Sequence, residues 1–108
     1  MAGVEGEEEG ELTVEVDGEA ASSPTLRLAG ELDVATADVV RSALLTVHGA
    51  GPEQVTFDMS EVSFMDSSGL SVLLEAAAKV SVVVAAPSAA VLRVIETTGL
   101  TDVLKVQQ

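Results

Sequence analysis

The sequence predicts a single α/β domain: one mixed, mostly parallel β-sheet with an antiparallel N-terminal hairpin, packed against about three helices. Three observations carry this. The chain has 108 residues, enough for one two-layer core. Two segments near the start, Glu11–Asp17 and Thr25–Ala29, alternate apolar and polar residues, the period of half-buried strands. Beyond them, apolar stripes of helical period take turns with short apolar runs. The resulting order is β-β-α-β-α-β-α-β. Strands joined through helices must run parallel, and only the opening pair can form a hairpin.

Taken in order, residues 1–10 are rich in Gly and Glu, a composition that predicts disorder, and the folded domain spans 11–108. The first strand, Glu11–Asp17, reads as an edge strand with one wet face, and Gly18–Pro24 is turn material leading to the second. Gly30-Glu31-Leu32-Asp33 leads to Thr36, an expected N-cap. Val40, Ala43, Leu44 and Val47 then form one stripe of a helix, ended by His48-Gly49-Ala50-Gly51-Pro52. A short strand is expected at Val55–Met59, with Ser60–Phe64 as a lead into the next turn. The second helix carries Leu70, Leu73, Leu74 and Ala77 on its inner stripe, with Ser68, Ser71, Glu75 and Lys79 outside. Val80–Ala86, apolar except for Ser81, fits a buried central strand. Pro87-Ser88 opens a third helix through Thr98, closed by Gly99, and Val103–Val106 is a last short strand.

Composition excludes several classes of function. Apolar residues make up 47% of the chain, yet Phe57 and Phe64 are its only aromatics, so a stacking platform for bases or sugars is not expected. Both are read as core or motif-adjacent packing. Without cysteine there is no disulfide, thiolate or zinc–thiolate chemistry. The acidic start lacks the layout of a signal peptide and no apolar run could cross a bilayer, which leads to an expected cytoplasmic location away from membranes. The net charge is −13, with eight carboxylates and no base within residues 1–19. Arg27, Arg41, Lys79, Arg93 and Lys105 are too scattered to track phosphates, so no direct nucleic-acid binding is expected. A protein partner with a basic face is the natural counterpart.

The feature with chemical content is Asp66-Ser67-Ser68-Gly69-Leu70, placed where the chain enters a helix. A helix start offers unpaired amides and a positive potential, so a serine there can cap the helix, and a phosphoryl group placed on it would meet donors. Asp66 would oppose that group as a like charge. From the residues alone two readings stand: a plain N-cap serine, the commoner case, or a phosphoacceptor.

Gly30-Glu31-Leu32-Asp33, then Phe64-Met65-Asp66-Ser67-Ser68-Gly69-Leu70, then Pro87-Ser88…Val91…Ile95…Gly99-Leu100, resembles in order the STAS domain, and more narrowly the bacterial anti-sigma-factor antagonists. The resemblance implies that Ser68, with Ser67 as the fallback, is phosphorylated by an anti-sigma factor with serine kinase activity and reset by a serine phosphatase. It implies that the unphosphorylated form binds that kinase and frees a sigma factor, regulating transcription. Asp33 and Asp66 match flanking acidic positions, and with Ser67, Gly69 and Leu70 they are the expected partner-binding set. In one respect the chain departs from that family: Ala76-Ala77-Ala78-Lys79 passes into Val80 without a Gly-containing turn.

The expected protein is not an enzyme, needs no cofactor and works as a monomer or weak dimer. An alternative is a non-phosphorylated STAS accessory subunit of a transporter or larger signalling assembly. A hydrolase would need a base, but the only histidine, His48, belongs to a helix end, and Gly-x-Ser-x-Gly is absent. Asp58, Glu61 and Asp66 lack His or Cys neighbours and calcium-loop spacing, so no metal is expected. Gly49-Ala50-Gly51 lacks the Lys of a phosphate loop and is read as a helix-ending turn.

Overall fold

The structure is a computed structural model and describes residues 12–18 and 22–108. The acidic segment 1–10, expected to be disordered, lies outside the described residues, as do Glu11 and part of the first turn. The elements are β1 (Leu12–Asp17), β2 (Thr25–Leu32), α1 (Ala37–His48), β3 (Gln54–Met65), α2 (Ser67–Ala77), β4 (Ser81–Ala85), α3 (Ala89–Thr98) and β5 (Lys105–Gln107). A short 3₁₀ turn, Leu100–Asp102, precedes β5.

The five strands form one sheet in sequence order, with β1 antiparallel to β2 and all later pairs parallel. This is the predicted fold class. Each crossover moves one strand further in the same direction, so right-handed connections place all three helices on one face. Leu26, Leu28, Val55, Phe57, Met59, Val82 and Val84 point from the sheet into that layer and are fully or almost fully buried. They meet Val40, Leu44 and Val47 of α1, Val72, Leu73 and Ala76 of α2, and Val91 and Ile95 of α3. The other sheet face carries Thr13, Glu15 and Arg27, which are exposed.

Several boundaries differ from expectation. Ser60–Phe64 is not a lead-in turn but the continuation of β3, which runs twelve residues to Met65. Register shifts against β2, between Arg27 and Ala29 and between Gly30 and Glu31, break the alternation and hid this extension. The last strand begins at Lys105 rather than Val103. Thr36 holds the N-cap position of α1 but makes no capping bond. Its hydroxyl turns back to donate to the Glu31 carbonyl at 2.7 Å and accepts the Asp33 N–H at 3.0 Å, which explains why a threonine is buried there (1% exposed).

The missing glycine after α2 is answered simply. The helix stops at Ala77, Ala78 stays right-handed (φ −73°, ψ −16°), and amides of Ala78, Lys79 and Val80 close onto Leu74 and Ala76 carbonyls. β4 then starts at Ser81, so a tight helical turn reverses the chain without a left-handed residue. At α3 the expected Gly99 does take the left-handed conformation (φ 73°).

Candidate functional site

β3 leaves the sheet at Met65 and α2 begins at Ser67, with Asp66 between them in an extended conformation. Its Oδ1 accepts the Ser68 N–H at 2.9 Å and the Gly69 N–H at 3.3 Å. Its own N–H donates to the Leu32 carbonyl at 3.3 Å, fastening the turn to the end of β2. The N-cap is therefore Asp66 and not a serine, and its carboxylate accepts from two of the four amides a helix start leaves open while its own N–H goes to Leu32. Two of the donors that a phosphoryl group on Ser68 would have met, the Ser68 and Gly69 amides, are already taken by a carboxylate.

This frees the serines. They occupy the first and second helical positions, Ser67 exposed and Ser68 half-buried. Among the described residues neither hydroxyl makes a hydrogen bond; Ser67 contributes only its carbonyl, which accepts from the Ser71 hydroxyl at 3.0 Å. Both side chains can take part in chemistry brought from outside without loss of a structural bond.

Gly69 and Leu70 sit below this surface, both buried. A Cβ on Gly69 would stand 2.7 Å from Leu32 Cγ, 2.8 Å from Met65 Cγ and 2.9 Å from the Leu32 carbonyl oxygen. Glycine is required so that the first turn of α2 can lie against the ends of β2 and β3. Gly69 and Leu70 seat the first turn of α2 beneath the serines.

Asp33 braces the neighbouring loop. Its Oδ1 accepts the Ala35 N–H at 3.0 Å and the Thr36 N–H at 3.2 Å, and its carbonyl accepts the Ala37 N–H at 2.9 Å. Leu32 pairs with Met65, so Asp33 and Asp66 stand one residue beyond paired strand ends, and the structure brings them to the same edge of the sheet. A third anchor is Ser88, the N-cap of α3, whose hydroxyl accepts the Val91 N–H at 3.3 Å and donates to the Val62 carbonyl at 2.6 Å.

The electrostatics of this edge are one-sided. Glu31, Asp33 and Asp66 stand at these paired strand ends, while Arg41 is the only Lys or Arg between residues 28 and 78. Arg41 is held by Asp38 and, through two contacts of 2.9 Å, by Glu75 of α2. Val34, 77% exposed, is not marked by the sequence pattern, and Phe64, expected with Phe57 to be core or motif-adjacent packing, is 47% exposed where Phe57 is fully buried. The signal was obscured because the bulges put Ser63 and Phe64 both outward.

The model of the STAS domain matches residues 12–108, so the chain belongs to the STAS domain family. Its structure is similar to that of an anti-sigma factor antagonist from Mycobacterium paratuberculosis, with TM-score 0.81 and 27% identity over 90% of this chain and 86% of that one. It is also similar to the anti-sigma factor antagonist SpoIIAA in its unphosphorylated form (TM-score 0.72, 22% identity, 89% of each chain). The phosphorylated form of SpoIIAA, from Bacillus, gives TM-score 0.64 and 23% identity over 89% of this chain and 92% of that one. The fold recurs within SLC26A9, where 80% of this chain covers 18% of that one at 19% identity with TM-score 0.65. Among the described residues no helix is long and apolar enough to cross a membrane.

Proposed function

We propose that this chain is an anti-sigma-factor antagonist that binds an anti-sigma factor in its unphosphorylated form and releases it when Ser68 is phosphorylated. The observation that supports this is the helix start itself, where Asp66 does the capping and leaves two serine hydroxyls unengaged at the surface. The similarity to an antagonist that has been solved in both phosphorylated and unphosphorylated forms points the same way. The chain performs no catalysis of its own in this reading. The Ser68 hydroxyl attacks the terminal phosphorus of ATP held by the partner kinase, loses its proton to a base on that kinase and displaces ADP. A phosphatase later hydrolyses the ester.

Release follows from charge. A phosphoryl group brings roughly −1.5 to −2 charges. With the Ser68 and Gly69 amides already given to Asp66, that charge is directed outward onto an edge that is already acidic. The fold beneath need not move. Coverage favours an antagonist over a transporter subunit, because the match spans nearly all of the antagonists and only 18% of SLC26A9.

The test is to incubate the protein with its cognate anti-sigma factor and ATP and to map the product by mass spectrometry. Phosphate at residue 68, lost in Ser68→Ala, is the expected outcome, and Ser68→Asp should weaken binding to the anti-sigma factor by about tenfold or more. Phosphate that persists in Ser68→Ala anywhere but Ser67, or undiminished binding by Ser68→Asp, would sink the proposal.

A further inference from the structure

We infer that Phe64, with Val34 beside the same sheet edge, is the apolar anchor of the partner-binding surface, and that the partner brings an apolar pocket rimmed by Lys and Arg. The inference rests on the proposed antagonist role and adds to it which residues hold the partner.

The chain has two aromatic residues, and it buries Phe57 completely while leaving Phe64 47% exposed. Phe64 lies opposite Glu31 in the β2–β3 register, one residue before buried Met65 and three before Ser67. Val34 leaves the end of β2 directly after Asp33 and is 77% exposed. An exposed aromatic ringed by polar groups is the composition of an interface centre rather than of ordinary surface.

The surroundings are acidic: Glu31 pairs opposite Phe64, Asp33 precedes Val34, and Asp66 follows Phe64 by two residues at the start of α2. That decides the occupant. A second copy, docking the same patch on itself, would set these carboxylates against their own kind. A basic rim on a different protein would neutralise them and speed encounter. The same surface then explains the switch, because a phosphoryl group on Ser68 lands at the edge of the apolar contact and turns a favourable rim into one that carries excess negative charge.

The cavity of about 240 Å³ between α1 and α2, lined by Leu44, Leu45, Ala76, Arg41, His48, Glu75 and Lys79, supplies a control. Leu45 is 72% exposed there, as prominent as Val34 but on the helical layer, with Arg41 already held by Glu75 and His48 in the last turn of α1.

The experiment is calorimetric titration of the unphosphorylated chain with its cognate anti-sigma factor. Phe64→Ser should weaken binding by about tenfold or more, Val34→Ser by severalfold, and Phe64→Tyr and Leu45→Ser should stay within about twofold of wild type. Thermal melts confirm that the variants fold. Amide chemical-shift changes in the wild-type complex give a reading independent of any variant and should cluster at residues 31–34 and 61–68. Full affinity in both serine variants, with Ser68→Asp still weakening binding, overturns the inference and leaves the antagonist role standing. No binding by wild type overturns both. Dimerisation of the free chain that Phe64→Ser abolishes would assign the patch to a second copy and overturn the inference.

Discussion

At the scale of single residues, the site is a division of labour among neighbours of similar chemistry. Asp66 caps, Gly69 permits close approach, Leu70 anchors below, and the two serines are left with nothing structural to do. The motif was legible in the sequence, but which residue caps was not. Ser, Thr and Asp are all good N-caps, and choosing among them requires knowing where the strand ends. Thr36 does hold the N-cap position of α1, but its hydroxyl serves the Glu31 carbonyl in place of a helix amide. The close approach of Gly69 gives a sharp prediction. Gly69→Ala puts a methyl within 2.9 Å of a backbone oxygen that cannot swing aside, besides two side-chain carbons. Overpacking of this kind costs about 1–3 kcal/mol. In the interior of an unobstructed helix the same change would stabilise the protein by about 0.5–1 kcal/mol, so the sign alone decides. Urea unfolding should show a lower midpoint for Gly69→Ala, and a higher one would mean that the first turn of α2 does not rest against Leu32.

At the scale of elements, the helices were legible because their apolar stripes repeat at the helical period, and Gly99 marked the end of α3 through its left-handed φ. β3 was legible only in its first half. Its second half lies beyond the bulges, where two neighbouring residues face outward together and strict alternation no longer identifies a strand. Nor could periodicity have paired Arg41 with Glu75, which are 34 positions apart and meet only once α1 and α2 lie side by side. That pair gives a prediction about acid. The Arg41 guanidinium holds the Glu75 carboxyl below the usual glutamate range, chiefly through their hydrogen bonds. A carboxyl whose value is lowered by folding stabilises the native state above its unfolded value, and that contribution disappears as pH falls through the lowered one. Both partners are open to solvent, so the effect is small and weakens with salt. Thermal melts should show Glu75→Gln slightly less stable than wild type at neutral pH, with the two curves converging as pH drops below about 4. A gap that is unchanged in acid would assign the loss to packing instead of charge.

At the scale of the whole molecule, fold class and strand order followed from the alternation of elements alone, since parallel crossovers of one hand leave little freedom of topology. What the sequence also specifies, independently of fold, is an unusual charge balance: 18 carboxylates against five Lys and Arg. Among the described residues the ion pairs gather around Arg27 and Arg41, so most of the negative charge has no partner to offset it. At 0.01 M salt the screening length is about 30 Å. The domain measures 36 × 30 × 20 Å, so at that ionic strength nearly every carboxylate is repelled by every other. Such self-repulsion disfavours the compact state more than the expanded one. Raising NaCl from about 0.01 M to 0.5 M should therefore raise the melting temperature by several degrees, even though it weakens the few ion pairs, and most of the rise should come early, where screening changes fastest. Removing residues 1–10 deletes four glutamates and should flatten this salt response without abolishing it, because the remaining chain is still strongly acidic. A melting temperature that falls with salt would show that the Arg27 and Arg41 clusters outweigh repulsion. It would also remove the reason to expect that one more phosphoryl group at Ser68 acts through charge.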